Sequence, residues 1–151
     1  MSSITIAIES PDQPEVQAMF DEARTLYINN YPNGRNRLPQ IADLSQPGTL
    51  FWVVREDGQA IGCGALTQHD GWAEIKRMYV MAAHRRKNVG ALVLETIEEH
   101  AETLGIPIVR LETGERQSAA ISLYRSHGYK TRGPFGDYAD DHTSLFMEKR
   151  L

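Results

Sequence analysis

The chain has 151 residues, 41% of them hydrophobic and 24% charged, with a formal net charge of −4. That length predicts one domain over 1–151 with a core of ordinary size, and the acidic balance excludes a non-specific nucleic-acid binder. A lone cysteine, Cys63, excludes an internal disulfide, and with no apolar run of membrane length and no secretory leader pattern the expected setting is cytoplasmic.

Ile4-Thr5-Ile6-Ala7-Ile8 alternates and predicts a first strand. Pro14 then opens a helix whose Val16, Met19, Phe20, Ala23, Leu26 and Tyr27 form an apolar stripe running towards Tyr31-Pro32. Asn33-Gly34 marks a turn, and Arg35 to Leu44 reads as a short second helix or an irregular flap broken by Pro39. Leu50–Arg55 and Ala60–Thr67 flank Glu56-Asp57-Gly58-Gln59 as the arms of a hairpin. Cys63, set between glycines in the second arm, reads as an inert packed thiol. Trp72–Met81 predicts a strand and Val89 onward an amphipathic helix. Val89, Leu92, Val93, Ile97, Ala101 and Leu104 share its apolar face, with Glu95, Glu98, Glu99 and Glu102 opposite. A strand at Pro107–Thr113 completes a βαβ unit, which implies parallel neighbours and a ligand beyond their C-terminal ends. Leu145–Lys149 is the last strand.

The entry to the middle helix is unusual. A helix N-terminus presents unpaired N–H groups and partial positive charge, so acids normally fill its first turn. Here the first acid waits until Glu95, and Arg85, Arg86 and Lys87 crowd the entry. The arrangement is electrostatically poor unless an outside anion completes it. Backbone amides, three cations and Gly90 make a seat for a pyrophosphate. Neither G-x-G-x-x-G nor G-x-x-x-x-G-K-S/T is present, so a dinucleotide held in the Rossmann manner is not expected.

Arg85-Arg86-Lys87-Asn88-Val89-Gly90, opening a helix after a strand, resembles the Q/R-x-x-G-x-G/A signature of the GNAT superfamily of acetyl-CoA-dependent N-acetyltransferases. It departs at Asn88, where the family has Gly; Asn tolerates positive φ better than most residues. Leu123-Tyr124-Arg125-Ser126-His127-Gly128-Tyr129 resembles the family's second cofactor-contacting helix and the strand after it. The similarity covers roughly Leu50 to Leu151 and includes Gly62-Cys63-Gly64-Ala65-Leu66, Glu74-Ile75-Lys76, Leu111-Glu112-Thr113-Gly114, Pro134-Phe135-Gly136-Asp137-Tyr138 and Phe146-Met147-Glu148-Lys149. It implies an α/β fold with a mixed central sheet of about six to seven strands flanked by about four helices. It also implies acetyl-CoA as co-substrate. The pantetheine arm would lie along Met78, Tyr79 and Val80, and the pyrophosphate would sit at Arg85, Arg86, Lys87, Asn88, Val89, Gly90 and Ala91. Gln117 falls where the family often has a cofactor-facing Asn.

Transfer of acetyl to an amine needs a base for the amine proton and support for the departing thiolate. The resemblance makes Glu74 the first candidate base, with Glu112 or a water chain as alternatives. It makes Tyr124 the acid for the CoA sulfur; the plain alternative for Tyr124 is a core aromatic beside Ala120 and Ile121. The family's acceptor pocket maps onto Tyr31, Arg35, Arg37, Lys76, Arg77, Phe135, Asp137 and Tyr138. Aromatics with several cations suit a small amine that also bears a carboxylate, with Asp137 available for the ammonium. The histidines show no metal-ligand spacing, so no metal is expected. Expected partners are a small-molecule amine, with no nucleic acid or membrane, and a monomer or homodimer. Protein lysine or N-terminal acetylation, and a non-catalytic acyl-CoA-binding module, remain the alternative functions.

Overall fold

The computed structural model describes residues 2–30, 41–44, 46–139 and 143–151. Seven strands form one sheet: β1 (Ile4–Ile8), β2 (Thr49–Glu56), β3 (Gln59–Gln68), β4 (Ala73–Val80), β5 (Ile108–Gly114), β6 (Lys130–Arg132) and β7 (Ser144–Arg150). Their spatial order is β1-β2-β3-β4-β5-β7-β6. All neighbours are antiparallel except β4 and β5, whose parallel pairing is the one that the βαβ reading implied. The described α-helices are α1 (Pro14–Asn30), α2 (Val89–Thr103) and α3 (Ser118–Ser126).

That helix count is lower than the four expected. Of the Arg35–Leu44 stretch read as a second helix or flap, Ile41–Leu44 forms a single 3-10 turn; Tyr31, Arg35 and Arg37 lie outside the described residues. The β2–β3 hairpin turns at Asp57 and Gly58, with φ of 50° and 87°. Positive φ at both central residues is what a two-residue turn needs to follow the strands' right-handed twist, and Asp-Gly supplies it cheaply.

Two cores sandwich the sheet. On one face α2 and α3 bring Val89, Val93, Leu94, Ile97, Ala101 and Tyr124 against Trp52, Ile61, Leu66, Ile75, Val109, Leu111 and Met147. Burying each large aliphatic side chain contributes about 1.5–3 kcal/mol. On the other face Val16, Met19 and Phe20 of α1 cover Phe51, Val53, Cys63 and Ala65. Glycines set how closely α2 sits. A Cβ on Gly64 would stand 2.6 Å from Val93 Cγ1, and one on Gly62 2.8 Å from Val89 Cγ1. Glu98, expected on the solvated face of α2, is instead buried: it accepts hydrogen bonds from the Tyr129 hydroxyl at 2.7 Å and Lys149 Nζ at 2.9 Å. Two partners offset the desolvation of that carboxylate, and apolar spacing alone does not reveal them.

β4 carries a bulge. Cys63 pairs with Tyr79 and Ala65 with Lys76, so Arg77 and Met78 together oppose Gly64. Arg77 has φ 56°, and its carbonyl accepts a hydrogen bond from the fully buried Cys63 thiol at 3.3 Å. The extra residue breaks alternation. Ala73 and Ile75 face α2, and so do Met78 and Val80, whereas Tyr79 joins the α1 side.

Candidate active site

β4 and β5 pair only from Ala73↔Val109 to Ile75↔Leu111, yet β4 runs on to Val80 and β5 to Gly114. Past Ile75 the two strands part, and no described strand fills the wedge. The β5-facing edge of Lys76–Val80 is therefore open, and an extended amide-bearing chain can pair with it as another strand would.

At the far end of that edge lies the basic turn. Asn88, the N-cap of α2, adopts the left-handed conformation at φ 60° and ψ 25°, and Arg86 has φ 68°. The first turn of α2 holds no acid, and its opening N–H groups have no intrahelical acceptor. The cations divide. Arg85 donates from Nε to the Val80 carbonyl at 3.2 Å and lies 5.5 Å from the Tyr79 ring. Lys87 Nζ reaches Glu56 Oε1 at 2.7 Å and His84 Nδ1 at 3.1 Å. Both are turned onto the chain, while Arg86 is exposed beside the amides of Val89, Gly90 and Ala91. Gly90 has a packing role as well: a Cβ there would stand 3.1 Å from Leu123 Cδ2 of α3.

The side chains of β4 divide between the two faces. Met78 and Val80 point to α2 and α3. Tyr79 instead donates its hydroxyl to Glu22 Oε2 at 2.5 Å, an atom that also receives the Ala82 amide at 3.0 Å. Glu22 on α1 thus clamps the approach to the basic turn, a contact that no motif announced. Burial first, and Glu22 second, push the Tyr79 phenol well above its ordinary value.

Tyr124 of α3 is 7% exposed and donates to Met78 Sδ at 3.8 Å, next to the wedge. It is both a core aromatic, edge-on to Tyr129 with ring centroids 5.9 Å apart, and a hydroxyl beside the open edge. Burial, then the charge of Glu112, raise its pKa, so it holds its proton at neutral pH. Gln117, the N-cap of α3, is half-buried where β5 gives way to that helix.

The opposite face of β4 and β5 carries polar side chains. Glu74 is 5% exposed; its Oε2 accepts the Tyr138 hydroxyl at 2.5 Å, and its Oε1 lies 3.9 Å from Lys76 Nζ. Glu112 accepts from Ser144 Oγ at 2.6 Å. The Tyr138 phenol is pushed up by burial, then by Glu74, with Glu112 raising it further and Arg77 opposing. Glu112 therefore acts on both Tyr124 and Tyr138. Phe135 is buried among Trp72, Tyr138 and Phe146, with ring centroids 5.4, 5.2 and 5.6 Å away. Asp137 is exposed on the turn between Phe135 and Tyr138. Cys63 is remote from this chemistry in character: burial pushes its thiol up to about 12, so it is no thiolate nucleophile at neutral pH. Among the described residues no group of three or more His, Cys, Asp and Glu is placed to hold a metal ion.

An open strand edge that leads from a buried acid and a phenol to a helix N-terminus free of acids suits a long thioester with a pyrophosphate at its far end. The family model of the GNAT acetyltransferases matches residues 16–129. The chain belongs to that family. It is an N-acetyltransferase, and acetyl-CoA is the acetyl donor of the GNAT enzymes. Over 153 aligned residues, covering 100% of both chains, it is 40% identical to the IAA acetyltransferase of Azospirillum brasilense. It is 42% identical to the uncharacterized N-acetyltransferase YsnE of Bacillus subtilis over 111 residues, covering 72% of this chain and 74% of that one. A Klebsiella pneumoniae structure provisionally assigned as an acyl-CoA N-acyltransferase superposes with a TM-score of 0.79 at 31% identity, covering 98% of this chain and 97% of that one.

Proposed function

We propose that this acetyltransferase moves the acetyl group of acetyl-CoA onto the primary amine of a small, carboxylate-bearing acceptor, by direct attack while both substrates are bound. The observation that carries the reading is the placing of two proton-handling groups on opposite faces of one strand: Glu74 on the polar face and the Tyr124 hydroxyl against Met78 on the other. Glu74 takes the proton of the acceptor nitrogen. The nitrogen lone pair attacks the thioester carbonyl, the C–S bond breaks with its electrons going to sulfur, and Tyr124 supplies a proton there. Burial, and behind it the charge of Glu112, favour the protonated form of Tyr124 until that moment. The amides at Val89–Ala91, with Arg86, hold the pyrophosphate; Arg85 and Lys87 join if phosphate competes with Val80 and Glu56 for them.

Lys76 and Arg77, adjacent to Glu74 on β4, give the acceptor's carboxylate a cationic counterpart, while Glu74 and Glu112 attract its ammonium. A small acceptor is also in keeping with the relative named IAA acetyltransferase. A panel of glycine, L-phenylalanine, L-glutamate, tryptamine and an alanine-initiated peptide, scored by thiol release from acetyl-CoA, tests the reading. Turnover is expected to favour the amino acids over tryptamine and the peptide. Preference for the peptide would move the assignment to protein acetylation, and CoA binding without turnover on any acceptor would make the chain a binding module.

A further inference from the structure

Glu74 is poorly placed to meet an acceptor by itself. It is 5% exposed, and the oxygen not facing Lys76 already receives the Tyr138 hydroxyl at 2.5 Å. Tyr138 is the less buried of the two. Its position is built rather than incidental. The turn from Phe135 to Tyr138 closes with the Tyr138 amide donating to the Phe135 carbonyl at 3.2 Å, and Gly136 supplies the positive φ of 57° that the turn requires. Phe135 and Phe146 then hold the Tyr138 ring edge-on, with centroids 5.2 and 5.5 Å away. A phenol has one proton to donate, here given to Glu74, and keeps lone pairs that can accept another.

We propose that Tyr138 is a proton-relay residue of this site, receiving the acceptor's proton on its oxygen as its own proton passes to Glu74 Oε2. The inference rests on the reading of Glu74 as base. The N–H bond of the acceptor breaks and a new O–H forms on Tyr138. The former phenol O–H breaks and its proton ends on Glu74, while the nitrogen lone pair forms the C–N bond. Charge balances: the carboxylate becomes neutral as the ammonium becomes the free amine, and the second N–H proton, released once the C–N bond has formed, replaces the proton that Tyr124 gives to sulfur. Burial and the charges of Glu74 and Glu112 disfavour a phenolate, so the two proton movements are concerted. The relay also accounts for the aromatic wedge of Trp72, Phe135 and Phe146, which fixes a hydroxyl where a merely apolar pocket wall would need none.

The test compares wild type, Tyr138→Phe, Glu74→Gln and the double variant with the panel acceptor that releases thiol fastest. Tyr138→Phe keeps the ring and removes the oxygen, so the melting temperature and the acetyl-CoA KM are expected to stay near wild type. Its kcat at neutral pH is expected to fall by about tenfold to a hundredfold, and the deficit to shrink at high pH as free amine accumulates. Because a relay acts in series with its base, the double variant is expected to be no slower than Glu74→Gln alone. A rise in acceptor KM with kcat intact, or losses that multiply in the double variant, would make Tyr138 a binding residue and overturn the relay. A slow Glu74→Gln beside a Tyr138→Phe of wild-type rate overturns the relay but leaves the base. A Glu74→Gln of wild-type rate overturns both.

Discussion

The side of the sheet facing α1 differs sharply along its width. Over β2 and β3 it is sealed: Val16, Met19 and Phe20 cover Phe51, Val53, Cys63 and Ala65, all of them buried and apolar. Over β5 and β7 the same side presents Arg110, Glu112, Phe146 and Glu148, and the segment that carries Phe135 and Tyr138 takes the place of a helix. Side chains on one face of a strand are free to be polar only where nothing apolar must cover them. One sheet can therefore be rigid where it holds the fold and chemically versatile where it meets an acceptor, with β4 as the seam between the two.

If that division is real, substitutions at the seam should damage rate, and those in the sealed half stability. The largest expected effect is at Tyr124. Tyr124→Phe keeps the packing against Tyr129 and removes only the hydroxyl that faces Met78. A kcat lower by about a hundredfold, equivalent to roughly 3 kcal/mol of barrier, is expected with the acetyl-CoA KM and melting temperature unchanged. An intact kcat would reduce Tyr124 to a core aromatic and blur the comparison. Next comes Gly64→Val in the β2–β3 half, on the side packed against α2. Its Cβ would sit 2.6 Å from Val93 Cγ1 and 3.1 Å from Ile97 Cδ1, so α2 must shift. Overpacking of this kind costs about 1–3 kcal/mol, read as a melting temperature lower by several degrees. An unchanged melting temperature would show that α2 is not held as closely as the glycines suggest.

The smallest effect concerns pH. Arg55 on β2 ties Glu9, at 2.9 Å, and Glu15 of α1, at 2.8 Å, to the hairpin. Hydrogen bonds from Arg55 are the leading reason that both carboxyls are held below the ordinary glutamate value. For a lowered pKa the stabilisation is complete above the unfolded value, about 4.3, and disappears as pH falls through the folded one. Partly exposed pairs of this type contribute about 0.2–1 kcal/mol each. Arg55→Met is therefore expected to flatten the loss of thermal stability below about pH 4.3 while leaving the kcat at neutral pH unchanged. An acid-melting profile identical to wild type would remove Arg55 from the account of how α1 is anchored.

Much of the fold was legible because periodicity reports burial. The apolar stripes of α1 and α2, the Asp57-Gly58 turn and the parallel β4–β5 pairing all followed from spacing and turn chemistry. The acid-free entry to α2 was legible too, since helix electrostatics make such an entry anomalous. What escaped were contacts between residues distant in the chain. Nothing near Glu98 foretells Tyr129 and Lys149, nothing near Glu22 foretells Tyr79, and nothing near Lys87 foretells Glu56. The family resemblance suggested that Tyr138 and Glu74 belong to one site; that one donates to the other depends on a turn and three rings meeting in space.

The bulge at Arg77 and Met78 has a consequence for how this chain tolerates change in length. Because side chains alternate along a strand, Glu74 and Met78 would share a face of an unbroken β4. The inserted residue puts them on opposite faces, one towards the polar pocket and the other towards Tyr124. Removing one residue at Lys76–Arg77 would restore a regular ladder and satisfy the backbone better. It would also leave Glu74 and Met78 three residues apart, which in a regular strand is still opposite faces, so Met78 and Val80 would stay in the α2 core and Glu74 outside it. At this point in the strand the chain tolerates the loss of one residue, and the harmful change is a ladder made regular with every residue kept, which would swing Met78 and Val80 onto the face of Glu74.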